Sequence, residues 1–218
     1  MSTLISSYYD LVSQLPGDTV VTFHDVSWAQ YEDFLKQVSE GNGLRVSYDD
    51  GTLQVMTLSP THESYTRFIE KLVTAISLRL RINIRSFGSA TMSRQKKRKG
   101  NEPDACFYVQ TADAIGNRME LDFETDPPPD IVVEVDVHHD SRSKFSIYAA
   151  FGVSEIWRFD GQTLAIHIFE QGGYREAETS LALPMLTNSI MTGFLARLRD
   201  EGEFQTLLTF DEWLQSLS

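Results

Sequence analysis

The sequence predicts one α/β domain that spans all 218 residues. Segments with apolar residues at helical spacing alternate with short apolar runs typical of strands, and between residues 61 and 159 the order is helix, three strands, helix and strand. The length suits one large domain and is short for two. Apolar residues make up 41% of the chain, enough for a sizeable core, and no linker rich in Pro, Gly or Ser divides it.

An N-terminal helix and a β-hairpin are predicted over residues 27–58. Ser27 is a suitable N-cap for a helix over residues 27–40. Two runs typical of strands, residues 44–48 and 53–58, flank the dipeptide Asp50-Gly51, which is a strong signal for a tight hairpin. The helix would bury an apolar face formed by Trp28, Tyr31, Phe34 and Leu35.

The core of the domain is predicted over about residues 59–170. Pro60 suits the first turn of a long helix that begins near residue 61. Residues 131–137 are strongly apolar, which indicates a strand in the centre of the sheet. The remaining predictions are strands over 84–92, 103–109, 155–159 and 164–169, an irregular connection over 110–129, a helix over 140–151 that ends at Gly152, and a helical tail over about 187–218.

The composition excludes several classes of protein. The single cysteine, Cys106, excludes an internal disulfide framework and a cysteine-based zinc site. Residues 1–18 lack the basic and apolar regions of a signal peptide, and no apolar run approaches the length of a membrane span. We therefore expect a cytoplasmic protein without a membrane partner.

The charge is unevenly distributed along the chain. The formal net charge of −12 argues against a nucleic-acid partner, because DNA repels an acidic surface. Residues 71–101, however, contain nine basic residues and no acidic one. This segment is either a solvated loop or a contact for a polyanion such as DNA. The residues that would make the contact are Arg94, Lys96, Lys97, Arg98 and Lys99.

Two of the predicted strands carry acidic residues within apolar runs, Asp104 in PDACF and Glu134 in PDIVVEVD. Side chains alternate along a strand, so Asp130, Glu134 and Asp136 share one face. Asp136 lies roughly 7 Å from Glu134 and could share an ion with it, whereas Asp130 lies roughly 13 Å away. The second acid of a small site must therefore come from another strand, and Asp104 is the candidate.

A metal ion is one way to keep two such acids together. Two carboxylates about 4 Å apart repel each other by ~4 kcal/mol at an effective dielectric constant of about 20, and a divalent cation removes that repulsion. Oxygen ligands alone select a hard ion such as Mg²⁺ or Mn²⁺. The alternative is that Asp104 and Asp130 are polar residues at strand starts, with their carboxylates satisfied by the neighbouring backbone.

The stretches EPDACFYV, PPPDIVVEVDV and SRSKFSIYAAFGVSEIWRFDG together resemble the family of putative restriction endonucleases abundant in cyanobacteria (the Uma type), within the PD-(D/E)XK nuclease superfamily. The resemblance covers about residues 27–160. It implies a restriction-endonuclease-like core with a central mixed β-sheet flanked by helices. By the same resemblance, Asp104 matches the acid of the PD motif, Glu134 matches the acid of (D/E)XK, and Glu63 matches a helix-borne acid that completes the metal site.

The chain departs from the superfamily pattern at one position. The lysine of (D/E)XK is replaced by Asp136, which is either a second metal ligand or a solvated acid. The resemblance supplies Lys144, from the following helix, in place of the missing lysine. Lys144 could instead pair with Asp140 one turn earlier. Glu63 could instead stabilise the dipole of its helix.

The resemblance implies a metal-dependent endonuclease that hydrolyses DNA phosphodiester bonds with Mg²⁺ or Mn²⁺ and acts as a homodimer. The rival hypothesis is a non-catalytic dimeric module, binding nucleic acid or serving in regulation, with a degenerate nuclease fold. The net charge and the missing lysine favour this rival, and Lys144 argues against it. A zinc hydrolase using His62, His138 and His139 lacks any spacing of the HExxH type.

Overall fold

The computed structural model describes residues 5–38 and 43–217. The chain divides into two compact units, the first formed by Met1–Pro60 with Thr91–Glu102 and the second by Thr61–Ala90 with Pro103–Ser218. The single domain over residues 1–218 stays a prediction. No helix among the described residues combines the length and the apolar character needed to cross a membrane.

The elements are as follows in chain order: α1 (Ile5–Val12), β1 (Val20–Phe23), α2 (Trp28–Gln37), β2 (Leu44–Asp49), β3 (Thr52–Thr57), α3 (Pro60–Leu80), β4 (Arg85–Ser86), β5 (Met92–Arg94), β6 (Lys99–Asn101), β7 (Ala105–Tyr108), α4 (Ala112–Ile115), β8 (Ile131–Val135), α5 (Phe145–Phe151), β9 (Glu155–Phe159), β10 (Leu164–Glu170), β11 (Gly173–Ala177), α6 (Asn188–Glu201) and α7 (Glu203–Gln215). Short 3-10 turns cover Gln95–Lys97 and Ser141–Lys144.

The first unit contains a five-stranded antiparallel sheet with the strand order β1-β3-β2-β6-β5. Local chemistry explains its predicted elements. Ser27 caps α2 in a reciprocal capping box with Gln30. Asp50 and Gly51 both have positive φ, +41° and +101°, which is the backbone of the tight turn that joins β2 to β3. The helix and the hairpin are thus confirmed, while the predicted helix end at residue 40 lies outside the described residues.

The second unit contains a six-stranded mixed sheet with the order β11-β10-β9-β8-β7-β4. Among the described strands of this sheet, β8 and β9 are the parallel pair, and the chain crosses over between them through the Ser141–Lys144 turn and α5. All five residues of β8 are buried, as predicted for a central strand. Apolar side chains of α3, α6 and α7 pack with those of the strands in one core, so helices flank the sheet as expected.

Some predicted elements differ from the structure. The strand expected over residues 84–92 is wrong as a single element: β4 has two residues in one sheet, and β5 begins at Met92 in the other. Gly88, with φ of +54°, lies in the break between them. The basic loop is a tight β5–β6 hairpin closed by the Gln95–Lys97 turn. The irregular connection contains the short helix α4.

Candidate active site

Asp104 and Glu134 face each other across neighbouring strands of the second unit. In the antiparallel pairing of β7 with β8, Ala105 lies opposite Val133, and one further residue brings Asp104 opposite Glu134. The Asp104 backbone N–H donates to the carbonyl of Val133 at 3.0 Å. Opposed residues on such strands share a face of the sheet. The two acids are therefore neighbours on adjacent strands, as the sequence predicted, and both are buried.

The Glu134 carboxylate is held by two side chains from the crossover segment. The Lys144 ammonium donates to Glu134 Oε2 at 2.8 Å, and the Tyr148 hydroxyl donates to Oε1. Lys144 and Tyr148 are four residues apart, so one helical turn brings both to the same carboxylate. Lys144 does not pair with Asp140, the alternative that the sequence allowed. Asp140 accepts hydrogen bonds from Arg142 instead.

Electrostatics within this group are dominated by burial. The pKa of Glu134 is raised to about 7, mainly by burial and also by the charges of Asp104 and Asp136, while the Lys144 ammonium opposes the rise. Burial lowers the pKa of Lys144, but the carboxylates of Glu134 and Asp104 outweigh that effect and the net shift is upward. The site thus concentrates negative charge around one buried ammonium.

The Asp104 carboxylate also contacts a buried histidine, His62. His62 Nε2 lies 3.0 Å from Asp104 Oδ2, which also accepts a hydrogen bond from the backbone N–H of Val135 at 2.7 Å. His62 lies in the first turn of α3 and is buried. The sequence feature that could have identified His62 is its position one residue before Glu63, the predicted helix acid.

By contrast, His138 and His139 lie in the loop after β8, where His138 is exposed.

Glu63 also lies in the first turn of α3, but its side chain is 34% exposed. Its carboxylate lies 3.6 Å from Arg67 Nε and 4.0 Å from His62 Nδ1. The Arg67 contact is an ordinary i,i+4 ion pair on a helix surface. Glu63 is therefore close to the His62–Asp104 pair through His62, and its role as a further site acid stays a prediction.

The Asp136 carboxylate is bound by donors from the protein itself. Its Oδ2 accepts hydrogen bonds from the Ser141 backbone N–H and hydroxyl, both at 2.9 Å, and from Arg158 Nε. Arg158 lies opposite Glu134 in the parallel pairing of β8 with β9, and its guanidinium lies 3.5 Å from Asp140. No motif or spacing in the sequence indicated a role for Arg158. A metal-binding role for Asp136 stays a prediction.

Asp130 has a structural environment. Its Oδ2 accepts hydrogen bonds from the backbone N–H groups of Val109 and Thr111 at 2.7 and 3.0 Å, and from the Thr111 hydroxyl at 2.9 Å. These contacts tie the start of β8 to the end of β7. The interpretation of a strand-start acid satisfied by neighbouring backbone therefore describes Asp130.

The donor set can be compared with the needs of a metal ion. Within residues 5–38 and 43–217, no group of three or more His, Cys, Asp and Glu side chains is placed to hold a metal. Asp104 and Glu134 provide two buried carboxylates whose mutual repulsion contributes to the raised pKa of Glu134. Mg²⁺ commonly takes one or two protein carboxylates and completes its shell with water and substrate phosphate. Two carboxylates match the number that such an ion takes from a protein, and they do not form a full protein cage.

The predicted basic segment belongs to the first unit. Lys96, Lys97 and Arg98 are exposed around the tip of the β5–β6 hairpin. Arg98 forms an ion pair with Asp50 at 2.8 Å, and Lys99 forms one with Asp49. The acidic turn of the neighbouring hairpin thus neutralises two of the five charges that the sequence predicted for a polyanion contact.

Comparisons with known proteins agree with this architecture. The model of the Uma2 family, described as "Putative restriction endonuclease", matches residues 28–197. The structure of a putative nuclease belonging to DUF820 from Anabaena variabilis ATCC 29413 superposes with a TM-score of 0.53 at 15% sequence identity, over 75% of this chain and 97% of that chain. No curated protein matches the chain. The structural likeness confirms the predicted restriction-endonuclease-like fold.

Proposed function

Because the chain belongs to the Uma2 family of putative restriction endonucleases, we propose that it is a metal-dependent endonuclease that hydrolyses phosphodiester bonds in DNA. One observation carries the proposal beyond family membership. The Lys144 ammonium lies 2.8 Å from Glu134, which faces Asp104, although the usual lysine position holds an aspartate. Two acids and one lysine are thereby grouped as phosphodiester hydrolysis requires.

In the proposed site, Asp104 and Glu134 would hold Mg²⁺ or Mn²⁺. When bound, such an ion neutralises phosphate charge and lowers the pKa of a water molecule. Lys144 supplies a buried positive charge beside Glu134, where it can orient the attacking water or stabilise charge that develops on the phosphate. His62 and Tyr148 fix the orientations of the two carboxylates, and Glu63 assists as a further acid.

The basic hairpin supports DNA as the substrate. Arg94, Lys96 and Lys97 lie in or beside the Gln95–Lys97 turn, and the exposed Lys96 and Lys97 can contact phosphates without reading the sequence. The rival, a non-catalytic module, draws support from the ion pairs of Arg98 and Lys99 and from the net charge of −12. The two functions differ in whether DNA is cut.

The proposal is tested by incubating the full chain with plasmid and oligonucleotide DNA in Mg²⁺ or Mn²⁺, with EDTA as the negative condition. We expect slow cleavage that requires the metal. Asp104→Asn and Glu134→Gln should each abolish cleavage and weaken Mn²⁺ binding in calorimetry, because each removes a charge from the metal ligands. Lys144→Ala should slow cleavage while retaining Mn²⁺ binding, because an ammonium is not a ligand.

Asp130→Asn is the matched control. Asp130 is also a buried aspartate after proline, but it binds the backbone of Val109 and Thr111 instead of facing Glu134. This variant should lower stability and still cut DNA when folded. Cleavage by Asp104→Asn and Glu134→Gln at the wild-type rate would exclude the proposed site. Absence of cleavage by the wild-type protein in every metal condition would favour the non-catalytic module.

A further inference from the structure

The segment that carries Lys144 is anchored by the residue at the usual lysine position. Asp136 follows Glu134 by two residues, and its carboxylate binds Ser141 and Arg158. We propose that Asp136, Ser141 and Arg158 form a clamp that positions the Lys144 ammonium on Glu134. The catalytic consequence of this clamp rests on the proposed nuclease function, whereas its effect on Lys144 does not.

The spacing of the two contacts supports the clamp. Glu134 and Asp136 are two positions apart along an extended segment, which corresponds to roughly 6.6 Å. Ser141 and Lys144 are the first and last residues of a 3-10 turn, where three residues advance about 6 Å and side chains three apart are eclipsed. The rise of the turn is therefore close to the spacing between Asp136 and Glu134. The same turn binds both acids, Asp136 through Ser141 and Glu134 through Lys144.

Arg158 completes the clamp from the next strand. Its guanidinium contacts Asp136 and lies 3.5 Å from Asp140, the residue before the turn. Asp140 caps the turn by accepting a hydrogen bond from the Arg142 backbone N–H at 3.0 Å. Arg158 thus holds both acids that flank the loop between β8 and the turn. It also compensates the charge of Asp136, which would be costly to bury unpaired.

This geometry explains how Asp136 can stand at the position where the superfamily has a lysine. A lysine at position 136 would extend from the strand that bears Glu134. Here position 136 instead carries an aspartate, whose carboxylate accepts a hydrogen bond from Ser141 at the start of the 3-10 turn. Lys144, the last residue of that turn, places its ammonium on Glu134. Asp136, Ser141 and Arg158 are therefore positioning residues for Lys144.

The experiment compares Ser141→Ala with Ser143→Ala. Ser141 is buried and its hydroxyl binds Asp136, whereas Ser143 lies in the same turn with an exposed side chain. The first readout is the rate at which Lys144 is acetylated in the metal-free protein, measured by peptide mass spectrometry with the exposed Lys96 as an internal reference. We expect Ser141→Ala to speed acetylation of Lys144 by roughly tenfold or more, the order expected for loss of one hydrogen bond to a charged acceptor. Ser143→Ala should leave the rate unchanged, and Ser141→Thr, which keeps the hydroxyl, should restore protection.

The second readout is a double-mutant cycle on cleavage. If Ser141 acts through Lys144, Ser141→Ala should slow cleavage in the wild-type background and have no further effect in the Lys144→Ala background. Equal acetylation of Lys144 in Ser141→Ala and Ser143→Ala, or additive losses of cleavage, would overturn the clamp. If the wild-type protein cuts no DNA, the nuclease proposal fails, and the acetylation rates still decide whether the clamp holds Lys144.

Discussion

His62 Nε2 lies 3.0 Å from Asp104 Oδ2, which ties the first turn of α3 to the residue that precedes β7. Both side chains are almost fully buried, at 2% and 1% exposure. A buried carboxylate that loses a partner bears the full cost of desolvation. The His62–Asp104 contact should therefore contribute to stability as well as to the geometry of the site.

We expect His62→Leu to lower the free energy of unfolding by about 1–3 kcal/mol, because Asp104 would lose a buried partner. His62→Gln should lose less, since its amide N–H can replace the Nε2 donor. Urea unfolding, monitored by tryptophan fluorescence, measures the free energy of unfolding of both variants. Glu63→Gln, at a 34% exposed position in the same turn, is the control and should stay within about 0.5 kcal/mol of wild type. Equal losses for Leu and Gln would show that the hydrogen bond contributes nothing.

Local signals predicted much of the fold. The Ser27 cap and the Asp50-Gly51 turn act within a few residues, so the sequence alone specifies them. The apolar run of β8 likewise identifies a central strand. The short strands β1 and β11 were missed, because segments of four or five residues carry little periodic signal.

The site was predictable only in part. Asp104 and Glu134 were identifiable because acids in apolar strands are unusual, and Lys144 because of the family resemblance. His62 and Arg158 reach the site through contacts that join residues 42 and 22 positions apart. Such contacts depend on how α3 and β9 pack against β7 and β8, and no local pattern encodes them.

The raised pKa of Glu134 has a consequence for stability. The unfolded chain releases this proton near pH 4.5 and the folded chain near pH 7, so the folded state binds more protons between those values. The stabilisation from protonated Glu134 is complete below pH 4.5 and is lost as the pH rises through 7. Stability of the metal-free protein should therefore fall over this interval because of Glu134.

The control for this pH effect is the double variant Glu134→Gln/Lys144→Met, which removes both members of the buried pair. Urea unfolding at several pH values between about 4.5 and 7 should show a steeper decline for the wild type than for the double variant. A carbon-detected NMR titration of the Glu134 carboxyl gives the direct measurement. A midpoint near the ordinary value of 4.5 would contradict the expected shift.

The basic hairpin should determine how DNA binding responds to salt. Each phosphate contact contributes roughly 0.9 to the slope of log affinity against log salt concentration. Replacing Arg94, Lys96 and Lys97 by serine should reduce the slope by about 2 to 3, since each removes one cation that can contact a phosphate. Replacing Arg98 and Lys99 should reduce it less, because Asp50 and Asp49 already neutralise them.

Fluorescence anisotropy with a labelled duplex at several salt concentrations measures these slopes. The paired replacements Arg98→Ser and Lys99→Ser serve as the internal comparison. A slope that stays at the wild-type value after all five replacements would mean that the hairpin is solvated surface and that DNA binds elsewhere.

Gly100 in β6 is required by the close approach of Tyr31. A Cβ atom at Gly100 would lie 2.1 Å from the Tyr31 hydroxyl oxygen and 2.6 Å from Cζ. Tyr31 cannot readily move aside, because it is fully buried and stacked on Tyr48 with ring centroids 4.8 Å apart. Gly100→Ala should therefore lower the free energy of unfolding by about 1–3 kcal/mol, the usual cost of overpacking a core.

A second substitution tests whether the Tyr31 hydroxyl causes this loss. Among the described residues, that hydroxyl is buried without a hydrogen-bond partner, so Tyr31→Phe alone should be nearly neutral. Combined with Gly100→Ala, it should recover part of the lost stability, because the atom closest to the new methyl group is gone.

Gly193→Ala is the matched control, since its Cβ meets nothing within 4 Å and it lies inside α6. There the same substitution should stabilise the protein by roughly 0.5–1 kcal/mol. If both alanine variants are equally stable in thermal and urea unfolding, the close contact at Gly100 does not limit the packing of the first unit.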